Sequence, residues 1–382
     1  MLIYLSAGEH SGDMHAASLA RALQARGADL ELFGMGGPLM REAGVEILID
    51  PTRSSTIGFV EALRSFTKYR RILRKVVAIL AQRRPDVVVW VDFGGFNLAL
   101  ARACRRLGIP VVCIFSPSAW AYGRKRAVSM AACVTELAAV LPFEADFYRS
   151  FGLRTTYVGH PLLDIVRSTV KREDFRARLG IHPQESVLAL LPGSRRQEID
   201  RLLPVMLAAL SKLRSEGRPL RAVLPLAPSI SRVAVAEIVS GSGQRIDLIS
   251  GGAYEVLSSC DAAIIASGTA TLEAALLLAP HISIYRVSTL SLLIYKALRN
   301  PAERGKRIST ALPNLIAGRQ VVPELLQDEL TAATLAANAA RILDDPAYRA
   351  SIRAGLQQVR DSLGDAGVMD RVAEIVLRVA SR

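Results

Sequence analysis

The chain is poor in cysteine, and what it has is scattered. Cys104, Cys113, Cys133 and Cys260 stand singly among apolar neighbours with no CxxC spacing. This argues against a zinc site or a disulfide framework and for small buried hydrophobes in a reducing compartment. Long apolar runs are also missing: nothing approaches the roughly 20 uncharged residues of a membrane span. The opening MLIYLSAGEH has neither the basic start nor the cleavage site of a secretory leader. A protein that is soluble or lies on a membrane surface is expected. Aromatics make up only 5% of the chain, and no RNA-binding or helix-turn-helix pattern occurs, so nucleic acid is not an expected partner. GxxxxGK[ST] is absent. GMGGPLMREAG is a poor GxGxxG with no acidic residue at the right later strand end, so nicotinamide cofactors are not expected either.

Positive charge, by contrast, is abundant: 48 Lys and Arg against 35 Asp and Glu, a net +13. Such an excess suits an anionic membrane face or phosphorylated substrates, or reflects a generally basic proteome. At 382 residues the chain is long enough for two domains.

Short apolar runs alternate with helical patterns. LIYLS, LELFG, VEILI, DVVVWVD, VVCIF, VTELAAVL and TTYVG in the first half are answered by VLALLPG, RAVLPL, RIDLIS, AAIIAS and HISIY in the second. This is the pattern of βαβ units and parallel sheets. The expected fold class is α/β: two doubly wound Rossmann-like domains facing a cleft, followed by a helical C-terminal tail. The expected boundaries are 1–164, 165–350 and a tail over 351–382, with GHPLLD at the first junction. Ligands in such sheets bind beyond the carboxyl ends of the strands. The loops there are AGEHSGD, GMGGP, DFGGFN, SPSAWAYGRKR, LPGSRRQEI and ASGTATLEAAL.

Two of these suit an anion. In LPGSRRQEI, Gly193 and Ser194 permit close backbone approach and Arg195 adds a fork of donors. In ASGTATLE, Ser267, Gly268 and Thr269 open a helix, and Glu273 one turn in is placed to accept from a sugar diol. The bland alternatives are a capped strand-to-helix turn and an acid that complements the helix dipole. His10, Asp13 and His15 form a metal set on paper only, because they straddle a turn and a helix start without an HExxH-like face. No metal and no cofactor are expected. His10 stays open as a base.

The motifs GEHSGD, GMGGPLM, SPSAWAYGRKR, LPFE, GHPLLD, LLPGSRRQEI, ASGTATLE and LPNLIAGR occur in this order from residue 3 to about residue 330. Together they closely resemble the lipid A disaccharide synthases, glycosyltransferases of the GT-B architecture. The resemblance implies transfer of 2,3-diacylglucosamine from UDP to the 6-hydroxyl of 2,3-diacylglucosamine 1-phosphate, with inversion and without a metal at the diphosphate. It implies Asp92 as general base, with Glu9 and Asp13 facing the cleft. It implies Gly193, Ser194 and Arg195 at the diphosphate, Ser267, Gly268 and Thr269 at the nucleotide, Glu273 at the ribose, and Asn314 as a further substrate contact. The chain departs from the family pattern at Gly94-Gly95 and at His10. Other readings are a different GT-B UDP-sugar transferase or epimerase, or a non-catalytic UDP-sugar-binding paralogue.

Acylated substrates place the enzyme at a bilayer. Two basic, apolar stretches suit that contact: Arg286–Arg307, and a first one in which Ile57, Phe59, Val60, Leu63 and Phe66 lie beside Arg70, Arg71 and Arg74. The expected location is cytoplasmic, peripheral on the inner face of the inner membrane. The resemblance leaves open whether the tail packs on its own first domain or on a partner's in a homodimer.

Overall fold

Runs of Val, Ile and Leu too continuous to alternate become strands buried on both faces. In a computed structural model, which describes residues 1–27, 29–51, 59–117, 119, 123–286 and 309–382 and only the backbone of 59–66 and 68, they build two sheets. Contacts divide the chain into Met1–Asp164 with Leu363–Arg382, and Ile165–Ser362.

The first unit runs β1 (Leu2–Ala7), α1 (His10–Gln24), β2 (Glu31–Met35), α2 (Pro38–Glu42), β3 (Glu46–Ile49), α3 (Phe59–Arg83), β4 (Val87–Val91), α4 (Gly94–Leu107), β5 (Val111–Ile114), α5 (Arg124–Ala131), β6 (Glu136–Ala139), α6 (Pro142–Arg149) and β7 (Thr155–Tyr157). The strand order is β3-β2-β1-β4-β5-β6-β7, and every described pairing is parallel. The order reverses between β1 and β4, where Ala7 pairs with Val91. Trp90, Tyr4, Phe33, Val76, Leu80, Leu100 and Met130 form the core on one side, with Tyr4 edge-on to Phe33 at 5.2 Å. All four cysteines are buried, as their apolar neighbours suggest.

The second unit runs α7 (Arg172–Arg178), β8 (Ser186–Leu191), α8 (Arg196–Ser215), β9 (Leu220–Leu226), α9 (Arg232–Gly241), β10 (Asp247–Ser250), α10 (Ala253–Ser259), β11 (Ala262–Ala266), α11 (Thr269–Leu276), β12 (His281–Tyr285), α12 (Leu312–Ala317), β13 (Glu324–Leu326), α13 (Ala332–Asp344) and α14 (Pro346–Ser362). Its sheet is parallel in the order β10-β9-β8-β11-β12-β13, reversing between β8 and β11. The three-residue β13 carries no apolar run of its own and is not visible as a strand in the sequence.

The tail divides differently from the sequence reading. Residues 351–362 continue α14, which packs on α11, α12 and α13 in the second unit. Only the segment from Leu363 onward joins the first unit, through α15 (Val368–Ala380) on α1 of the same chain. Val368, Val372, Ile375, Val376 and Val379 are buried there, each worth about 1.5–3 kcal/mol. The carboxylate of Asp164, the last residue of GHPLLD, accepts from the amides of Gly367 (2.6 Å) and Val368 (3.1 Å) at the start of α15. Arg371 donates to the Val158 carbonyl at 2.8 Å, and Arg378 pairs at 2.8 Å with the buried Glu136, which Arg154 also meets at 3.0 Å.

Candidate functional site

In the second unit the carboxyl ends of β8, β9, β10 and β11 surround a concavity of about 610 Å³. Its lining includes Gly193, Ser194, Arg195 and Glu198 after β8, Tyr254 and Glu255 on α10, and Ser267, Gly268, Thr269 and Glu273 after β11. This is the switch point at which open α/β sheets bind ligands. Gly193 has φ +120°, a region that glycine tolerates and other residues do not. The Arg195 side chain is 77% exposed. Glu273 is largely buried and accepts from the Tyr254 hydroxyl at 3.1 Å. Burial pushes its carboxyl above the usual range, against the opposing effect of that hydrogen bond. Gly268 and Thr269 lie exposed at the first turn of α11.

Ser267 lines the concavity with its polar groups already engaged. Its hydroxyl donates to the Thr310 carbonyl at 2.8 Å and its amide to the Ile284 carbonyl at 2.8 Å, so it holds the loop together. Asn314 does not line the concavity. It is buried, its Oδ1 accepts from the amides of Val321 (2.7 Å) and Val322 (2.9 Å), and its Nδ2 donates to the Val322 carbonyl and to Glu324 Oε2, both at 2.9 Å. Glu324 in turn accepts from the amides of Thr310 and Ala311, both at 2.7 Å. Asn314 thus reaches the site through Glu324, Thr310 and Ser267. LPNLIAG shows the residue, but only the fold shows that its bonds run inward.

In the first unit the reversal between β1 and β4 gathers Gly8, Glu9, Asp92 and Phe93. Asp92 (φ +53°), Phe93 (φ +56°) and Phe115 (φ +57°), at the ends of β4 and β5, all sit in the left-handed region. Non-glycine residues there cost roughly 1–3 kcal/mol each and cluster at working sites. The surroundings hold the strain: the Asp92 carbonyl accepts from Trp90 Nε1 (2.6 Å) and Asn97 Nδ2 (2.8 Å), and the Asp92 carboxylate accepts from the Phe93 amide at 2.7 Å. Asn97 is fixed by the Ser6 hydroxyl at 2.6 Å. Phe93 lies against Gly8, where any Cβ would overlap its ring. Trp90, Asn97 and Ser6 escaped sequence reasoning, although Asn97 closes the DFGGFN motif. Glu9 is exposed at the start of α1.

Asp13 does not face an opening. It is fully buried and accepts from the amides of Gly37 (2.8 Å), Met40 (3.1 Å) and Leu39 (3.0 Å) at the start of α2. GEHSGD and GMGGP are therefore one assembly, with Asp13 as its anchor. His10 is exposed, whereas His15 stacks on Phe115 at 4.4 Å. Burial lowers His15 to about 4 and His160 to about 4, the latter also through His15. Among the described residues no three His, Cys, Asp or Glu side chains gather as a metal set. The Gly94-Gly95 pair begins α4, with Gly94 packed under Pro117 and open space beside Gly95.

A family model described as lipid-A-disaccharide synthetase matches residues 3–374. The chain belongs to the lipid-A-disaccharide synthetase family. The lipid-A-disaccharide synthase of Geobacter sulfurreducens is 40% identical over 380 residues, covering 100% of this chain and 97% of that protein. That of Myxococcus xanthus is 42% identical over 377 residues, covering 99% and 97%. Among solved structures, MurG of Acinetobacter baumannii aligns with TM-score 0.59 at 15% identity, covering 99% of both chains. The UDP-GlcNAc 2-epimerase of Neisseria meningitidis, solved bound to UDP-GlcNAc, aligns with TM-score 0.65 at 13% identity, also over 99% of both. These two likenesses show the fold, GT-B, alone. As a member of that family the protein is an enzyme, a glycosyltransferase of lipid A biosynthesis that works on a UDP-sugar and a sugar-phosphate acceptor.

Of the surface expected at a membrane, Ile57 and 287–308 lie outside the described residues, as do the side chains of Phe59, Val60, Leu63 and Phe66. Arg70, Arg71 and Arg74 are exposed along α3, whose Val76 and Leu80 are buried. No helix among the described residues is long and apolar enough to cross a membrane.

Proposed function

We propose that the enzyme transfers 2,3-diacylglucosamine from UDP to the 6-hydroxyl of 2,3-diacylglucosamine 1-phosphate, inverting the anomeric carbon. The observation that carries this reading is that the family's motifs end at the two switch points: DFGGFN and GEHSGD at β1/β4, GSRRQE and SGTATLE at β8/β11. UDP occupies the second unit's concavity, with Glu273 and Tyr254 at the ribose and Arg195, Gly193 and the start of α11 (Gly268, Thr269) at the diphosphate. The acceptor hydroxyl attacks the anomeric carbon, the bond to the phosphate oxygen breaks, and UDP leaves with the electron pair. Asp92 takes the hydroxyl proton. A rigid backbone at Asp92 matters more than a raised pKa, because orientation supplies much of the rate. Arg195 stabilises the negative charge that grows on the leaving phosphate. Glu9 is a second polar group for the acceptor sugar.

The exposed arginines of α3 support the further reading that the enzyme works in the cytoplasm, peripheral on the anionic inner face of the inner membrane. In a homodimer, α15 is the element available for exchange.

The test is disaccharide formation by the purified chain in detergent. Product is expected with and without EDTA, with a loss of about 10²-fold or more in Asp92→Ala at unchanged UDP affinity. Absence of product from the unaltered chain, with UDP still bound, overturns the assignment of substrates. Full activity in Asp92→Ala overturns the assigned base.

A further inference from the structure

The amides that a diphosphate needs in the second unit are already in use. Glu198, one turn into α8, folds its carboxylate back on the loop. Its Oε2 accepts from the amides of Ser194 (3.0 Å) and Arg195 (3.2 Å), and its Oε1 lies 3.6 Å from the Arg195 guanidinium. The turn at Gly193 wraps this carboxylate so closely that a Cβ there would overlap Glu198 Oε2. Glu198 also lines the concavity beside Gly193, Ser194 and Arg195. A glutamate closing a capping box is ordinary helix chemistry. Here, however, the same carboxylate holds two loop amides and lies beside the arginine assigned to the leaving group.

We infer that Glu198 is a resident anion of the diphosphate cradle, displaced by the diphosphate of an entering UDP-sugar and returning as UDP leaves. This rests on the function proposed above. Each amide proton serves one strong acceptor, and two anions a few ångströms apart repel, so phosphate and carboxylate exclude one another at Ser194 and Arg195. The Glu198 side chain is 32% exposed, so a rotamer into solvent requires no new burial of charge. Return of the carboxylate competes with UDP and favours product release. A nucleoside without phosphates leaves Glu198 in place.

The experiment is calorimetric titration of the full chain with UDP and with uridine, comparing the unaltered protein with Glu198→Gln and Glu198→Asp. Glutamine keeps the size and an acceptor oxygen but loses the charge; aspartate keeps the charge but is one methylene too short to hold both amides. UDP is expected to bind Glu198→Gln about tenfold more tightly (about 1.4 kcal/mol), and Glu198→Asp more tightly as well, with uridine unchanged in both. A fixed scaffold moves UDP affinity not at all or downward in the folded variants, and that result overturns the inference. An unaltered chain that binds no UDP overturns the proposed function itself, which is a separate outcome. Should Glu198→Gln fail to fold, Glu198→Asp carries the same decision.

Discussion

Two carboxylates stand one turn into the first helix after a switch-point strand, Asp13 on α1 and Glu273 on α11, and they do opposite things. Asp13 is sealed beneath α2 with three backbone amides. Glu273 lines an open concavity with a tyrosine hydroxyl at one oxygen. Residue type and position are nearly the same; what differs is who supplies the donors. Where the chain itself supplies them, the acid is structure. Where it leaves room, the acid is ready for a ligand.

The comparison can be broken at either carboxylate. Asp13→Ala leaves three buried amides without an acceptor and is expected to destabilise the first unit by about 3 kcal/mol. Fluorescence-detected urea unfolding reports this directly, since Trp90 is buried in that unit's core. UDP affinity should hold; a loss of UDP affinity at unchanged stability would reverse the two roles. Glu273→Ala is expected to do the converse, weakening UDP by roughly tenfold or somewhat more with little change in unfolding. Calorimetry against UDP and uridine checks it, since a ribose contact weakens both ligands alike.

A third test sharpens the contrast through pH, with an effect spread over several pH units. His15 and His160 in the first unit take up protons only near pH 4 when folded, and near 6.5 when unfolded. Below pH 6.5 the unfolded chain therefore binds protons that the folded chain refuses, so stability falls as pH drops from 6.5 toward 4 and levels beneath it. Each histidine contributes roughly 1 kcal/mol per pH unit in that window. The second unit has one such histidine, His281, likewise lowered to about 4 by burial. Hydrogen exchange at pH 7 and pH 5 is expected to show the steeper loss in the first unit, with about half of the histidine-driven part removed in His15→Phe. Equal slopes in that variant would dismiss His15 as a cause.

Much of this architecture was legible because buried parallel strands announce themselves. VVVWV and AAIIA have no polar alternation to confuse with a surface strand, and the loops after them fall where α/β sheets keep their chemistry. The positions of Arg195, Glu273 and Asp92 beyond strand ends are legible that way; their roles are the proposal made above. Asp13 and Asn314 were misjudged because a polar residue in a motif looks the same whether its bonds run toward a ligand or toward its own backbone. Glu198 was missed because a glutamate at the third position of a helix is so common a cap that it draws no notice. The tail was cut at 351 instead of 363 because successive amphipathic helices carry no mark of which sheet they cover.

The grip of Asp164 on the start of α15 joins residues 203 positions apart in the chain. A ribosome delivers the first sheet early, yet the helix that covers α1 follows only after the whole second unit. Until then the apolar groove that will hold Val372, Ile375 and Val376 is open to water. The second unit has time to fold in between, since domains generally fold as units while synthesis proceeds. Maturation of the first domain thus waits on residues translated after the whole second unit. A chain halted before Val368 leaves a finished second domain attached to an unfinished first one, a form that chaperones and proteases recognise by its exposed groove.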